Sequence, residues 1–381
     1  MDTGLSTSFV CLASWLRRCG ILIPLRKKNA FDYRTATMRI LSHHRVAILL
    51  HEGIRGTHGK TGLAYLRYGE AIVAAVIDAQ CAGESLAALT GIAKDIPITA
   101  NVSEALSYQP DVLLIGIAPS GGVLPDAWWE EVKGAIAAGL SVVNGLHTPM
   151  ADRFGQLRPQ QWIWDIRQEP KELRIGQGRA RSLACQRILT VGTDMAIGKM
   201  SASLELNRAA QKRGMRSKFL ATGQGGLSIA GDGIALDAVR VDFAAGAVER
   251  MVLDWDDDYE VLFIEGQGSL LHPGSTATLP LLRGSQPTGL VLVHRAGQKH
   301  IRDIPDVLIP PLAQVVQLYE MVASAGGAFG RVRVKAIALN TFHLNTEAAY
   351  AAIESVKQET GLTCTDVVRF GAESLLEKVV D

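Results

Sequence analysis

Three scarcities narrow the field before any motif is read. The five cysteines, Cys11, Cys19, Cys81, Cys185 and Cys364, are odd in number and scattered, with no C-x-x-C pair and no metal-ligand spacing. That pattern supplies neither a disulfide framework nor a thiolate metal site; it fits a reducing, cytoplasmic setting, and no metal ligands are expected. Net charge is nearly absent: 39 Lys+Arg against 38 Asp+Glu leave a formal +1. With no basic surplus to draw nucleic acid or an anionic membrane, small-molecule substrates are the expected partners. Long apolar runs are missing too. The stretch ILIPL at residues 21–25 is too short to span a bilayer and has charges on both sides, Arg17 and Arg18 before it and Arg26, Lys27 and Lys28 after it. Residues 1–37 are therefore expected to be a disordered extension rather than a signal peptide, or translation begins at Met38.

What is plentiful is apolar residue, 48% of 381, with 20% charged, the composition of a soluble globular protein long enough for two domains. A chain so rich in apolar residues is also expected to form a homodimer. From Arg45 the chain alternates short Val/Ile/Leu runs with helical stretches: RVAILL, AIVAAVID, DIPIT, DVLLIGI and SVVNG, then RILTV, SKFLAT, VLFIEG, GLVLVH, VKAIAL and DVVRF. Runs without polar alternation, each followed by a helix, predict parallel sheets covered on both faces. The expectation is an α/β protein with a Rossmann-like domain at residues 38–150, a packed interdomain connection at 151–186 that carries Trp162 and Trp164, and a P-loop-like α/β domain at 187–381. Ser103 with Glu104, and Asp126, are expected to open two helices of the first domain, with Trp128 and Trp129 as packing anchors.

The strongest motif follows RILTV: GTDMAIGKMS, residues 192–201, leading into the helical SASLELNRAAQKRG. A strand, a glycine-bounded loop with a lysine, and a helix make a phosphate cradle, because backbone N–H groups and the helix N-terminus converge on one anion. The expected cofactor-binding residues are Gly192, Thr193, Asp194, Gly198, Lys199, Met200 and Ser201. Two departures from the common signature matter. Five residues rather than four separate Gly192 from Gly198, and Met200 stands where a hydroxyl normally ligates Mg²⁺. A thioether is a poor ligand for a hard cation, so either Ser201 or Thr193 substitutes or the metal is dispensable.

Ligands of parallel sheets bind at the carboxyl ends of the strands, where this sequence gathers its unusual loops. Glu265 follows VLFI and is a candidate catalytic residue, able to hold Mg²⁺, orient an amine or act as general base; among the histidines of these loops, His294 is the second candidate. Gln224 in TGQGG, together with Arg295 and Lys299, is expected to bind substrate, the two cations suiting a carboxylate or phosphate. Asp237 and Asp242 flank VRV and suit a substrate ammonium or a helix cap. A second loop, Gly53 to Gly59 followed by Lys60 and Thr61, repeats the five-residue interval and raises a second phosphate site.

Taken in order, VGTDMAIGKMSASLEL, KFLATGQGG, VDFAAGAVE, FIEGQGSLLHPG and ALN resemble the DgcN-type D-glutamate N-acetyltransferase family, over essentially residues 38–381. That resemblance implies a Rossmann-like domain followed by a P-loop-like domain, acetyl-CoA as co-substrate and D-glutamate as acceptor. The second half is also similar to dethiobiotin synthetase, whose phosphate loop begins Gly-Thr-Asp and whose later strand ends Glu-Gly-x-Gly. By that similarity Lys199 contacts phosphate, Glu265 lies near metal or substrate, and Asn340 approaches the base of a nucleotide; Met200 in place of that enzyme's threonine leaves use of Mg²⁺ open. The first half also looks like the CoA-binding domains of acyl-CoA ligases. Three functions stay open: acetyl transfer, an ATP- and Mg²⁺-dependent ligase reaction, and non-catalytic binding of a nucleotide or CoA.

Overall fold

The structure is a computed structural model that describes residues 38–119, 123–255 and 258–380; the expectations for residues 1–37 lie outside them. The described residues form two six-stranded sheets and one two-stranded ribbon. The first sheet comprises β1 (Arg45–Leu49), β2 (Ile72–Ile77), β3 (Ile98–Thr99), β4 (Val112–Ile115), β5 (Ser141–Asn144) and β6 (Ile163–Asp165), in the order β3-β2-β1-β4-β5-β6. The second comprises β7 (Gln186–Gly192), β8 (Ser217–Leu220), β9 (Val261–Ile264), β10 (Gly289–Arg295), β13 (Val334–Asn340) and β14 (Cys364–Thr365), in the order β14-β13-β10-β7-β9-β8. Every pairing in both sheets is parallel, while β11 (His300–Ile301) and β12 (Ile304–Leu308) pair antiparallel. The unalternated apolar runs explain this: β4, β5 and β9 are buried at every position, as strands covered on both faces must be.

The strand orders place a topological switch point beside β1 in one sheet and beside β7 in the other, the positions at which open α/β sheets hold ligands. Each of these strands leads through a glycine-rich loop into a helix that begins with lysine, Lys60–Tyr68 after β1 and Lys199–Lys212 after β7. At the second loop the turn into the helix has Gly198 at φ 114, a left-handed conformation that a side chain would strain.

Local signals differ from expectation at three places. The helix near Ser103 is capped by Asn101, whose side-chain Oδ1 accepts from Glu104 N at 2.9 Å, and Asp126 is the first helical residue behind Pro125 rather than the cap. The segment 151–186 is more than a connection: β6 lies in it and pairs with β5, and Trp162 and Trp164 pack on the first core. The run DVVRF is not a strand. Asp366 accepts the amides of Thr341, Val368 and Arg369 at 2.8–3.1 Å, which curls residues 366–370 into a turn and ends the strand at Thr365.

The two halves share apolar packing. Leu204, Phe219 and Leu227 belong to the same buried cluster as the residues of β1 and β4, and residues 38–381 make one compact unit. Each such side chain removed from water contributes about 1.5–3 kcal/mol, so the halves are joined by a core rather than a tether. Among the described residues no helix is long and apolar enough to cross a membrane.

Candidate functional site

Both lysine-led helices open onto one cleft of about 760 Å³. Lys60, Thr61, Leu63, Ala64, Arg67 and Tyr68 line it from the first half, all on one face of their helix. Across from them stand Gly198, Lys199, Met200 and Ser201 of the β7 loop, with Gln224 and Glu265 from the ends of neighbouring strands. The spacing at Gly53 and Gly59 therefore brings a second loop to the same cavity, which the local sequence could only suggest.

Lys199 is 6% exposed and donates from Nζ to the carbonyl of Asp194 at 2.6 Å. Burial lowers its pKa to about 8, against the opposing pull of Asp194 and Glu265. Glu265 is 5% exposed, and burial pushes its carboxyl up to about 7 although it accepts from the amide of Thr222 at 2.9 Å. The helix Gln224–Ala230 approaches so closely that a Cβ on Gly226 would lie 2.4 Å from Glu265 Oε2. Burial thus brings the pKa values of a carboxyl and an ammonium, both on the cleft, to within about a unit of pH 7, the condition that suits proton transfer.

The other residues of the loop have structural partners. Asp194, fully buried, accepts from its neighbour Met195 N at 2.6 Å, from Gln298 Nε2 at 2.6 Å and from Arg302 N at 2.7 Å, tying the loop to the β11–β12 ribbon. Thr193 Oγ1 lies 2.9 Å from Nδ1 of His294. His294 does not line the cleft, and burial pulls its pKa down to about 4, so it stands neutral behind the loop instead of beside Glu265. Arg295 faces a separate cavity of about 310 Å³ and stacks on Phe342 at 5.0 Å; Lys299 is exposed outside the cleft. Asn340 lines a third cavity of about 220 Å³ and donates to the Ile197 carbonyl at 2.9 Å. The structure therefore brings Lys199, Met200, Ser201, Gly198, Gln224 and Glu265 together and holds His294, Arg295 and Lys299 apart from them, while Asn340 lines a neighbouring cavity that Gly198 and Ser201 share.

Besides Lys199, the cationic groups that line the cleft are Lys60, Arg67 and Arg167, the last bridged to Asp237 at 3.0 Å. Sequence reasoning missed Arg67, Arg167 and Tyr68, because nothing local distinguishes them from ordinary helix and loop residues. For Mg²⁺, which P-loop folds commonly hold, the β7 loop is a poor donor set, and Ser201 and Glu265 are the oxygen donors nearest to it on the cleft. Met200 offers sulfur, Thr193 is turned to His294, and the Asp194 carboxylate is spent on its own loop and the ribbon, whereas a hard cation needs several oxygen ligands. Among the described residues no group of three or more His, Cys, Asp or Glu side chains is placed to hold a metal.

Comparison with known proteins agrees with this architecture. Residues 79–169 match the Rossmann-like domain DUF1611_N and residues 174–376 the P-loop domain DUF1611_C, both described as domains of unknown function. Two relatives are named D-glutamate N-acetyltransferase. The protein of Tritonibacter scottomollicae is 35% identical over 72% of this chain and 83% of its own, and that of Pseudoalteromonas sp 34% identical over the same shares. A crystal structure of a DUF1611 family protein from Anabaena variabilis superimposes with a TM-score of 0.85 at 64% identity, covering 88% of this chain and 99% of that one. With both domain models matched in order and a solved relative aligned over nearly its whole length, this chain belongs to the DUF1611 family.

Proposed function

We propose that the cleft transfers the acetyl group of acetyl-CoA to the amine of an acidic amino acid, D-glutamate being favoured by the names of the relatives. The observation that carries this reading is Glu265, a buried carboxyl on the cleft with a pKa of about 7, sharing the cavity with the buried Lys199. An ammonium cannot attack a thioester, so a base must first take its proton; Glu265 has the position and proton affinity for that step. The freed lone pair then forms the C–N bond to the acetyl carbon, the C–S bond breaks, and the thiolate takes a proton as the thiol. Residues 224–225 and 267–268 of the two glycine-rich segments line the same cavity, and their backbone N–H groups suit the oxyanion of the tetrahedral intermediate. Lys199 binds a phosphate of the donor, while Lys60 and Arg67 take the carboxylates expected earlier at Arg295 and Lys299.

The test is release of free thiol from acetyl-CoA with D-glutamate or L-glutamate. Release with the D enantiomer supports the reading, and none with either removes it. The ligase alternative predicts Mg²⁺-dependent ADP formation, and Met200 with the committed Thr193 hydroxyl counts against it.

A further inference from the structure

The loop after β7 lacks its usual hydroxyl at position 200, and Thr193 is engaged with His294. An anion seated on Lys199 would therefore miss donors on one side. The first half of the chain supplies one. Tyr68, the last residue of its helix, is 2% exposed and lines the cleft together with Lys199, Met200 and Ser201. Its ring is fixed by Arg208, whose guanidinium lies 4.7 Å over it and whose Nη2 donates to the Tyr68 carbonyl at 3.3 Å. Ser201, Glu205 and Arg208 form one stripe along the helix Lys199–Lys212, so the phenol lies along its first two turns. There its hydroxyl has Ser201 and Glu205 within reach, and neither is placed to complete a hydrogen bond of good geometry. A buried hydroxyl without a partner is rare and costly, and it calls for an explanation. Burial raises the phenol's pKa to about 12, which keeps it a proton donor at neutral pH.

We propose that Tyr68 and Ser201 form a hydroxyl subsite for a phosphoryl oxygen of the ligand held by Lys199, so that this P-loop binds its anion through neutral donors from both halves and without a divalent cation. The proposal rests on Lys199 being an anion receptor and names the ligand class as a phosphate ester or pyrophosphate; coenzyme A carries both. The competing structural role is a tie from Tyr68 to the Glu205 carboxylate, which would serve stability alone.

The experiment is calorimetric titration of the full chain with inorganic pyrophosphate, once in EDTA and once in Mg²⁺. Wild type should bind equally well in both, Tyr68→Phe and Ser201→Ala about tenfold more weakly, Lys199→Met hardly at all, and Glu205→Gln like wild type. Wild-type affinity in both hydroxyl variants with loss in Lys199→Met overturns the subsite and spares the cradle, and unchanged binding in all three overturns both. Binding by wild type only when Mg²⁺ is present, or not at all, also overturns the proposal. Melting temperatures without ligand identify a variant that has lost its fold, in which case the other hydroxyl variant decides.

Discussion

The Nζ of Lys199 reaches back 2.6 Å to the carbonyl of Asp194, so the ammonium is held across its own loop, which is anchored to the β11–β12 ribbon by the Asp194 carboxylate. Its orientation is set in advance of any ligand, which limits the ordering cost of binding. Lys199→Met removes the charge while keeping most of the stem. Affinity for acetyl-CoA should fall by about 10–100-fold, the worth of a charge-assisted hydrogen bond, as read by calorimetry. Unchanged affinity would remove the anion receptor and the functional reading with it.

Glu265 and Lys199 make a pH prediction together. The base must be ionised, so kcat/KM should rise as pH passes about 7; the lysine must stay charged, so it should fall again above about 8. The outcome is a narrow bell whose limbs belong to the coupled pair. Glu265→Gln should lower kcat by about 10²–10⁴-fold and abolish the acid limb. An acid limb that survives in this variant assigns the base elsewhere.

The same carboxyl has a stability signature. Its folded pKa lies above the ordinary value of 4.5, so its contribution is fully present below pH 4.5 and is lost as pH rises through about 7. Glu265→Gln keeps an acceptor for the Thr222 amide without the buried charge. The variant should therefore gain melting temperature relative to wild type between pH 5 and pH 8; a difference that stays flat with pH would contradict the raised pKa.

His294 should behave as a support. Replacing it with Ala leaves a void and frees the Thr193 hydroxyl, at a cost of about 2–3 kcal/mol in stability. Urea unfolding measures that loss. The acid limb of the rate profile should stay where Glu265 sets it, since an imidazole with a pKa of about 4 does not titrate there.

Glu249 holds the crossing between the sheets. Its carboxylate, 1% exposed, accepts from Arg179 N at 2.5 Å, Arg179 Nη2 at 2.9 Å and Gln177 N at 3.2 Å. Glu249→Ala strands those amides and should cost about 2–4 kcal/mol. Limited proteolysis should then cut within residues 172–186 sooner than in wild type; equal protection would show that other contacts hold the segment.

The strand runs, the order of glycine, lysine and helix at 192–201, and the placement of Glu265 after VLFI were all legible in the chain, because each depends on neighbours in sequence. Local capping was less so: Asn101 takes the role expected of Ser103, and Asp366 bends a run that reads as a strand. The partners of Thr193, His294, Arg295 and Asn340 were not legible, since all four occupy loops or strand ends near the β7 loop and only the packing turns Thr193 and His294 to each other and Arg295 and Asn340 to two different cavities.

The sequence by itself determined two parallel-sheet halves and one phosphate-type loop, because hydrophobic periodicity and backbone conformational preference act over a few residues. The tertiary structure decided that Lys60, Tyr68 and Arg67 face Lys199 and Glu265 across one cleft, and that burial moves the lysine and the carboxyl toward neutrality. Desolvation depends on what the rest of the chain folds around a group, and no local pattern records it.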